Sequence, residues 1–520
     1  MNVKFKKTYF IILVGFLSLY SNLLFSFYHG IPVPYIHDEF SYLLAADTFA
    51  HGHVTNPPHQ MWEHFETFYV LQHPTYTSKY PPAQAAFLAI GQVLGGHPIC
   101  GVWLSEACMC MAICWMLYAW VPLYWALVGG IISVIQFGVF TYWSQSYWGG
   151  AVAALGGALI FGALPRIFRY QQLKDVFWLG SGIFIVVNSR PLEGILLGIP
   201  IGCLALPWKI KWDKIKNPHF LKRIALPFAL MLLLIILTVG AYNKAVTGKP
   251  YTFPALLSLH NEMARPLFIF EPLKPMPALK HMEMLQFIKR YSNKHFFLKR
   301  TWKGFWTIEA SDIHRMFDFY FGYILAFPVV LFLIKFLHKK KMLLKLFLIT
   351  CILCLACMVM PSRAHAHYFS PVMVLAVFLV ILGLRTLVIL SRPIGMTLFY
   401  VLLALQIVCN ILSYSKPVEI HSYGYLISGQ GLPLEVYTHA TLQKVLIKKG
   451  GKHLVLVDYV PNRLFYYEWV QNTSDIDKQP IVWARSMNDQ EDAKLLNYYK
   501  DRRVWRIRVF RETIKHPILI

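Results

Sequence analysis

Long apolar segments recur along almost the whole of this 520-residue chain, and that recurrence leaves few folds open. Stretches long enough to cross a bilayer lie near residues 9–29, 99–120, 123–142, 147–165, 176–189, 191–208, 224–243, 317–337, 342–361, 367–390 and 394–414. About 20 apolar residues in a helix traverse the hydrocarbon core. Inside that core only helices and closed barrels satisfy their own backbone hydrogen bonds. The run PAQAAFLAIGQVLG at 82–95 is apolar but short, and reads as an interfacial or re-entrant helix. The expected fold class is therefore an all-α polytopic membrane protein, with about 11 transmembrane helices plus interfacial ones. Composition agrees: 56% of residues are hydrophobic and 15% charged, against about 45–50% and about 25% in soluble proteins.

Charge orients the spans. A net charge of +24 would suit nucleic acid, but much of it falls in short clusters between apolar segments, so no nucleic-acid partner is expected. The N-terminal run MNVKFKK and the apolar stretch after it imitate a signal peptide. No small-x-small cleavage site follows, and the stretch reads as a first transmembrane helix. Placing Lys4, Lys6 and Lys7 in the cytoplasm then puts Arg166, Arg169 and Lys174 there too. The clusters Lys209 to Arg223 and Lys339 to Lys345, and Arg392, fall on the same side, as the positive-inside rule requires. A further span at 82–95 would turn most of these outward. The predicted location is a bacterial inner (plasma) membrane, multi-pass, with the N-terminus cytoplasmic and the C-terminus extracytoplasmic.

Three polar pieces then share the outer face: loops 30–81 and 244–316, and a tail of 416–520. In the tail, KHLVLVDYV, QPIVWARS and RRVWRIRVF read as strands and AKLLNYYK as a helix. The expected domains are a membrane domain of 1–415 and a small extracytoplasmic α/β domain of 416–520. No internal repeat is visible. The nine cysteines lie in or beside apolar segments, so no disulfide framework is expected. Cys351, Cys354 and Cys357 share one helix face, where packing explains them better than a metal does.

The outer segments carry the chemistry-bearing side chains. YIHDEFSYLLAADTFAHG at 35–52 holds Asp38 and Glu39, with Asp47 expected to face solvent. MWEHFETF adds Glu63 and Glu66, which could serve a metal or an acceptor, and TSKYPPAQ adds Lys79 and Tyr80. Short external turns add Trp148, then Arg190 and Glu193, then Arg363, His365, His367 and Tyr368. Trp148, beside Gly149 and Gly150, suits a sugar pocket, and close helix packing explains the glycines equally well. Arg190 suits a donor's phosphate, or a structural pair with Glu193. His365 and His367 at i, i+2 lack a clear third zinc ligand. No metal site is assigned, and no cofactor is certain; a divalent metal stays open. Glu106 falls inside a predicted span and is left unassigned.

An enzyme outside the cytoplasm has no nucleotide-activated sugars, whereas a polyprenyl-phosphate sugar reaches it through the bilayer. Displacement at the anomeric carbon expels a phosphate, which needs cations rather than a general acid. The acceptor needs one base. A glycosidase would need two carboxylates across the scissile bond. One acidic pair among scattered cations fits transfer better than hydrolysis.

Asp38-Glu39 after the first span, Lys79-x-Pro81-Pro82, and the late Arg363…His367-Tyr368-x-x-Pro371 together give the chain its resemblance to the GT-C superfamily of membrane glycosyltransferases. Over residues 1–415 it looks most like the branch of protein O-mannosyltransferases and the lipid A aminoarabinose transferase. The resemblance implies Asp38 as the base, with Glu39 beside it, and Lys79 and Arg363 as contacts of the lipid phosphate. Arg190, His367 and Tyr368 join the expected phosphate group, and Glu63, Tyr80, Trp148 and Glu193 the substrate pocket. Tyr80 between the lysine and the prolines departs from the usual motif. The expected partners are a polyprenyl-phosphate sugar donor, membrane lipids and an acceptor. The rival readings are a transporter or flippase of lipid-linked glycans, for which Glu106 is the supporting feature, and a membrane scaffold presenting the tail.

Overall fold

The computed structural model describes residues 3–34, 36–192, 218–336, 365–415, 439–459, 468–509 and 518–519. The expected spans near 191–208 (beyond residue 192) and 342–361, the Cys351–Cys354–Cys357 face, and the site candidates Glu193 and Arg363 lie outside them. Two compact units emerge. One comprises 1–31, 101–238 and 306–428, and the other 32–100, 239–305 and 429–520.

The first unit is helical. Among the described residues, five helices of the chain are long and apolar enough to cross a membrane, and seven are if each of two bent pairs counts once. The chain is thus a membrane protein of mostly helical build with a small sheet. Val3–His29, Pro98–Leu117, Ala151–Tyr170 and Arg392–Ser415 lie where apolar runs predicted spans. The predicted 317–337 span instead crosses a break. Trp302–Tyr320 and Gly322–Lys335 meet at 90°, with Gly322 at φ +60° in the turn. Helix Ala366–Leu390 carries Pro371 and bends by 68°.

Small residues let these helices approach. A Cβ on Gly182 would lie 2.7 Å from the Gly156 carbonyl oxygen, and one on Gly157 would lie 1.9 Å from that of Pro371. A Cβ on Gly150 would meet the Trp143 ring at 2.3 Å and Ser370 at 2.8 Å, so close packing accounts for that glycine. Amide side chains tie the interior. Gln406 donates to Gln136 at 3.0 Å, Gln136 to the Phe319 carbonyl at 2.8 Å, and Asn410 to that of Ile135 at 2.9 Å.

The second unit is built on a sheet. β1 (Val70–Leu71) pairs antiparallel with β2 (Thr77–Ser78). In the tail, β3 (His453–Tyr459) pairs parallel with both β4 (Ile481–Arg485) and β5 (Arg503–Val509), and β5 pairs antiparallel with β6 (Ile518–Leu519). β3 is central, and its unbroken LVLV run is buried on both faces, as parallel central strands require. β5 alternates instead: Trp505, Ile507 and Val509 face the core, with arginines between them.

Leu442 and Leu446 of helix His439–Lys449 share one core with β5. The other core joins Leu454, Leu456, Val482 and Leu495 to Leu44, Phe65, Val70 and Tyr76. Tail and first loop therefore share a hydrophobic core. Helix Asp489–Tyr498 starts before the expected AKLLNYYK because Asn488 caps it, accepting the Glu491 N–H at 2.9 Å. Helix Pro82–Gly95 is a 14-residue element too short to span, packed on helix His37–Ala50.

Candidate active site

In the second unit the TSKYPP stretch is held between a strand and a helix. β2 ends at Ser78, and the Lys79 N–H extends the ladder to the Tyr69 carbonyl at 3.1 Å. Pro81 favours extended backbone at Tyr80, and Pro82 occupies the first helical position, where no amide proton is needed. Lys79 and Tyr69 thus face each other across the hairpin. The Lys79 ammonium lies 3.3 Å from the centre of the Tyr69 ring and 4.9 Å from that of Tyr80. Tyr80 stacks on Tyr42 at 4.3 Å, and its hydroxyl donates to an Asp38 carboxylate oxygen. Burial, then the Asp38 charge, pushes the Tyr80 phenol well above its usual range, so it stays a proton donor.

Asp38 and Glu39 open helix His37–Ala50, where its dipole favours negative charge. Their environments differ. Asp38 is partly exposed, whereas Glu39 is 1% exposed and accepts the Ile36 N–H at 3.4 Å. Asp47, expected in solvent, is instead a tether. It accepts from Gln92 at 3.0 Å and from the Ser474 N–H and hydroxyl at 2.9 and 2.6 Å. The reason is the packing of the first loop on the tail, which brings donors from two other segments to its carboxylate.

A buried ionic network lies in the same unit. Arg485 reaches Glu468 at 2.5 Å, Glu283 at 2.8 Å and the Glu66 carbonyl at 2.6 Å. Glu468 also accepts from Thr67 at 2.6 Å and from the Val470 N–H at 2.8 Å, and the His37 ring lies 3.5 Å away. Burial alone would raise the Glu468 carboxyl, but Arg485, with His37 and these hydrogen bonds, holds it at about 2. Glu63 pairs with Lys280 at 3.2 Å, and its carbonyl accepts from His281 at 2.7 Å. Glu66 accepts the Lys280 N–H at 3.2 Å. Burial pushes the Glu66 carboxyl up and the His281 imidazole down, the latter to about 3.

In the first unit, Trp148, Arg190, His367 and Tyr368 come together. The Arg190 guanidinium lies 4.8 Å over the Tyr368 ring. Trp148 meets the His367 ring edge-on at 4.6 Å, and His367 Nδ1 pairs with the Tyr142 hydroxyl at 2.9 Å. His365 and His367 stack at 5.4 Å and 6°, an arrangement of packed rings rather than convergent ligands. Among the described residues, no three His, Cys, Asp or Glu side chains gather in metal-binding geometry. Glu106 is fully buried in helix Pro98–Leu117, with Cys110 Sγ 3.9 Å from one carboxyl oxygen.

Sequence reasoning passed over Tyr69, Tyr142, Glu262, Glu468 and Arg485. Tyr69 has φ +71°, rare for an aromatic residue, and no neighbouring residue type announces it.

No family model and no curated protein sequence matches the chain. Among solved structures, the crystal structure of the Archaeoglobus fulgidus oligosaccharyltransferase in complex with zinc and sulfate is similar at TM-score 0.51 and 10% identity. It covers 96% of this chain and 68% of that one. The same organism's enzyme in complex with an inhibitory peptide and a dolichol-phosphate is similar at TM-score 0.49 and 9% identity, over 97% and 69% of the two chains. The first likeness shows a fold shared with that oligosaccharyltransferase.

Proposed function

We propose that the protein is a glycosyltransferase that moves a sugar from a polyprenyl-phosphate-linked donor to an acceptor, inverting the anomeric centre. The reaction takes place at the extracytoplasmic face of the inner membrane. One observation carries the reading: a partly exposed carboxylate, Asp38, and a cation, Lys79, are both held by Tyr80 beside a helix N-terminus. The fold shared with an oligosaccharyltransferase supports it. Within the GT-C superfamily, the Asp-Glu pair and the Lys-x-Pro-Pro element favour the O-mannosyltransferase and aminoarabinose transferase branch.

The chemistry is one displacement. The acceptor oxygen or nitrogen forms its bond to the anomeric carbon as the bond to the phosphate oxygen breaks. The acceptor's proton passes to Asp38, and the electron pair of the broken bond leaves on the phosphate. Lys79 meets the charge that develops there. Glu39 shapes the helix entry beside the base. Arg190, with His367 and Tyr368, is a second candidate for binding phosphate, and Arg363 is assigned the same role from its motif. Trp148, Glu63 and Glu193 are proposed for the substrate pocket.

The test is transfer of label from a radiolabelled polyprenyl-phosphate sugar pool in membranes containing wild type, Asp38→Asn or Lys79→Met. Asp38→Asn should lose transfer by about 10²–10⁴-fold while still binding donor. Unchanged transfer would remove Asp38 as the base. Labelled donor that crosses the membrane unreacted would favour transport instead.

A further inference from the structure

Glu262 has no part in the reaction above, yet it stands at the centre of the lysine's support. It closes helix Pro254–Glu262 and is buried. One carboxyl oxygen accepts the Tyr69 N–H at 2.9 Å. Tyr69 holds a left-handed backbone that an aromatic residue adopts only under constraint. It is clamped on its other side as well, because its carbonyl accepts from the Ser41 hydroxyl at 2.6 Å and from the Lys79 N–H at 3.1 Å. The clamped ring is the platform under the Lys79 ammonium. Glu262 therefore fixes the residue that fixes Lys79, and its charge also attracts Lys79 directly.

We propose that Glu262 is the counter-ion that positions Lys79 and yields it to the donor's phosphate, taking up a proton as the phosphate binds. The inference rests on the reading that Lys79 meets that phosphate. Burial raises the Glu262 carboxyl to about 7, although Lys79 draws it down. A second anion at Lys79 raises it further, so binding is tightest below pH 7 and weakens above it. Glu66 from the first loop also faces Glu262 and its charge raises the carboxyl, and the Ser258 hydroxyl hydrogen-bonds it. His37 faces the Tyr69 ring at 6.0 Å.

The probe is farnesyl methyl phosphate, a phosphodiester with one charge across the working range, bound to the full chain in detergent at pH 6 and pH 8.5. Wild type should weaken about tenfold for each unit by which the phosphate raises Glu262. Glu262→Gln keeps an acceptor for the Tyr69 N–H but removes the charge. It should bind at pH 8.5 as wild type does at pH 6, with little slope left. A Glu262→Gln slope equal to that of wild type overturns the proposal. Lys79→Met binding as tightly as wild type overturns the underlying reading instead. Calorimetry of wild type at pH 7.5, in buffers of different ionisation enthalpy, should register fractional proton uptake. Zero uptake refutes the proposal even if the glutamine variant does not fold.

Discussion

Replacing Arg485 with methionine strands two acids, and the structure sets the size of the effect. Glu468 is held at about 2 against an ordinary carboxyl value of 4.5. That depression corresponds to about 3 kcal/mol of stability. Because the folded value is depressed, that stability is complete above pH 4.5 and is lost as pH falls towards 2. In Arg485→Met the Glu468 side chain, 1% exposed, keeps its hydrogen bonds but loses its counter-charge. Burial then governs it and the sign reverses, so the variant gains stability as pH falls from 7 to 5. Breaking a buried pair from one side typically costs about 3–5 kcal/mol. The apparent unfolding midpoint of this unit should drop by about 10 °C. Trp469 and Trp483 sit in the adjoining core and report by fluorescence when the full chain is heated in detergent at one scan rate. Adding Glu468→Gln should recover part of the loss. A drop of under about 1 kcal/mol, or a variant that also loses stability between pH 7 and 5, would refute the assignment of Arg485 as the counter-charge.

Three further outcomes are expected. Tyr80→Phe removes the donor to Asp38, so transfer should fall by about tenfold and its pH profile should move, both read from initial rates across pH. Gly157→Ala forces a methyl against the Pro371 carbonyl, which is backbone and cannot step aside; thermal unfolding should show a loss of about 1–3 kcal/mol. Arg190→Gln removes the cation over Tyr368, and donor KM should rise with little change in kcat if Arg190 contributes ground-state binding.

What the sequence disclosed and what it withheld divide along physical lines. Period and punctuation are local properties. Apolar runs thus foretold helices such as Pro98–Leu117 and Ala151–Tyr170, the RRVWRIRVF stretch foretold β5, and the short apolar run 82–95 foretold the helix after Tyr80. Partners across long separations are not local. Nothing near Asp47 announces that Ser474 will bind it, and nothing near Arg485 names Glu283 or Glu468. Leu44 from helix His37–Ala50, Phe65, Val70 from β1 and Tyr76 reach the tail's core singly from separate short elements, so no one period betrays them. The same holds for Tyr69, whose left-handed backbone depends on Glu262, Ser41 and Lys79 gripping it from three segments.

The Asp-Glu pair shows how a helix gives adjacent acids different surroundings. Successive helical residues are rotated by about 100°, so four neighbours in HDEF must point four ways. His37 turns inward to Glu468, Glu39 turns back to the Ile36 amide, and Phe40 is buried. Asp38 alone keeps partial exposure and meets the Tyr80 hydroxyl. A carboxylate that accepts protons from an acceptor must be reachable and must have its charge supported; of the two acids, only Asp38 has both. Because His37 anchors this turn to the Arg485–Glu468 network, the ionic core that stabilises the unit also sets the angle at which Asp38 emerges. Arg485→Met should therefore depress transfer below the level its folded fraction predicts, whereas Gly157→Ala should lower the two together.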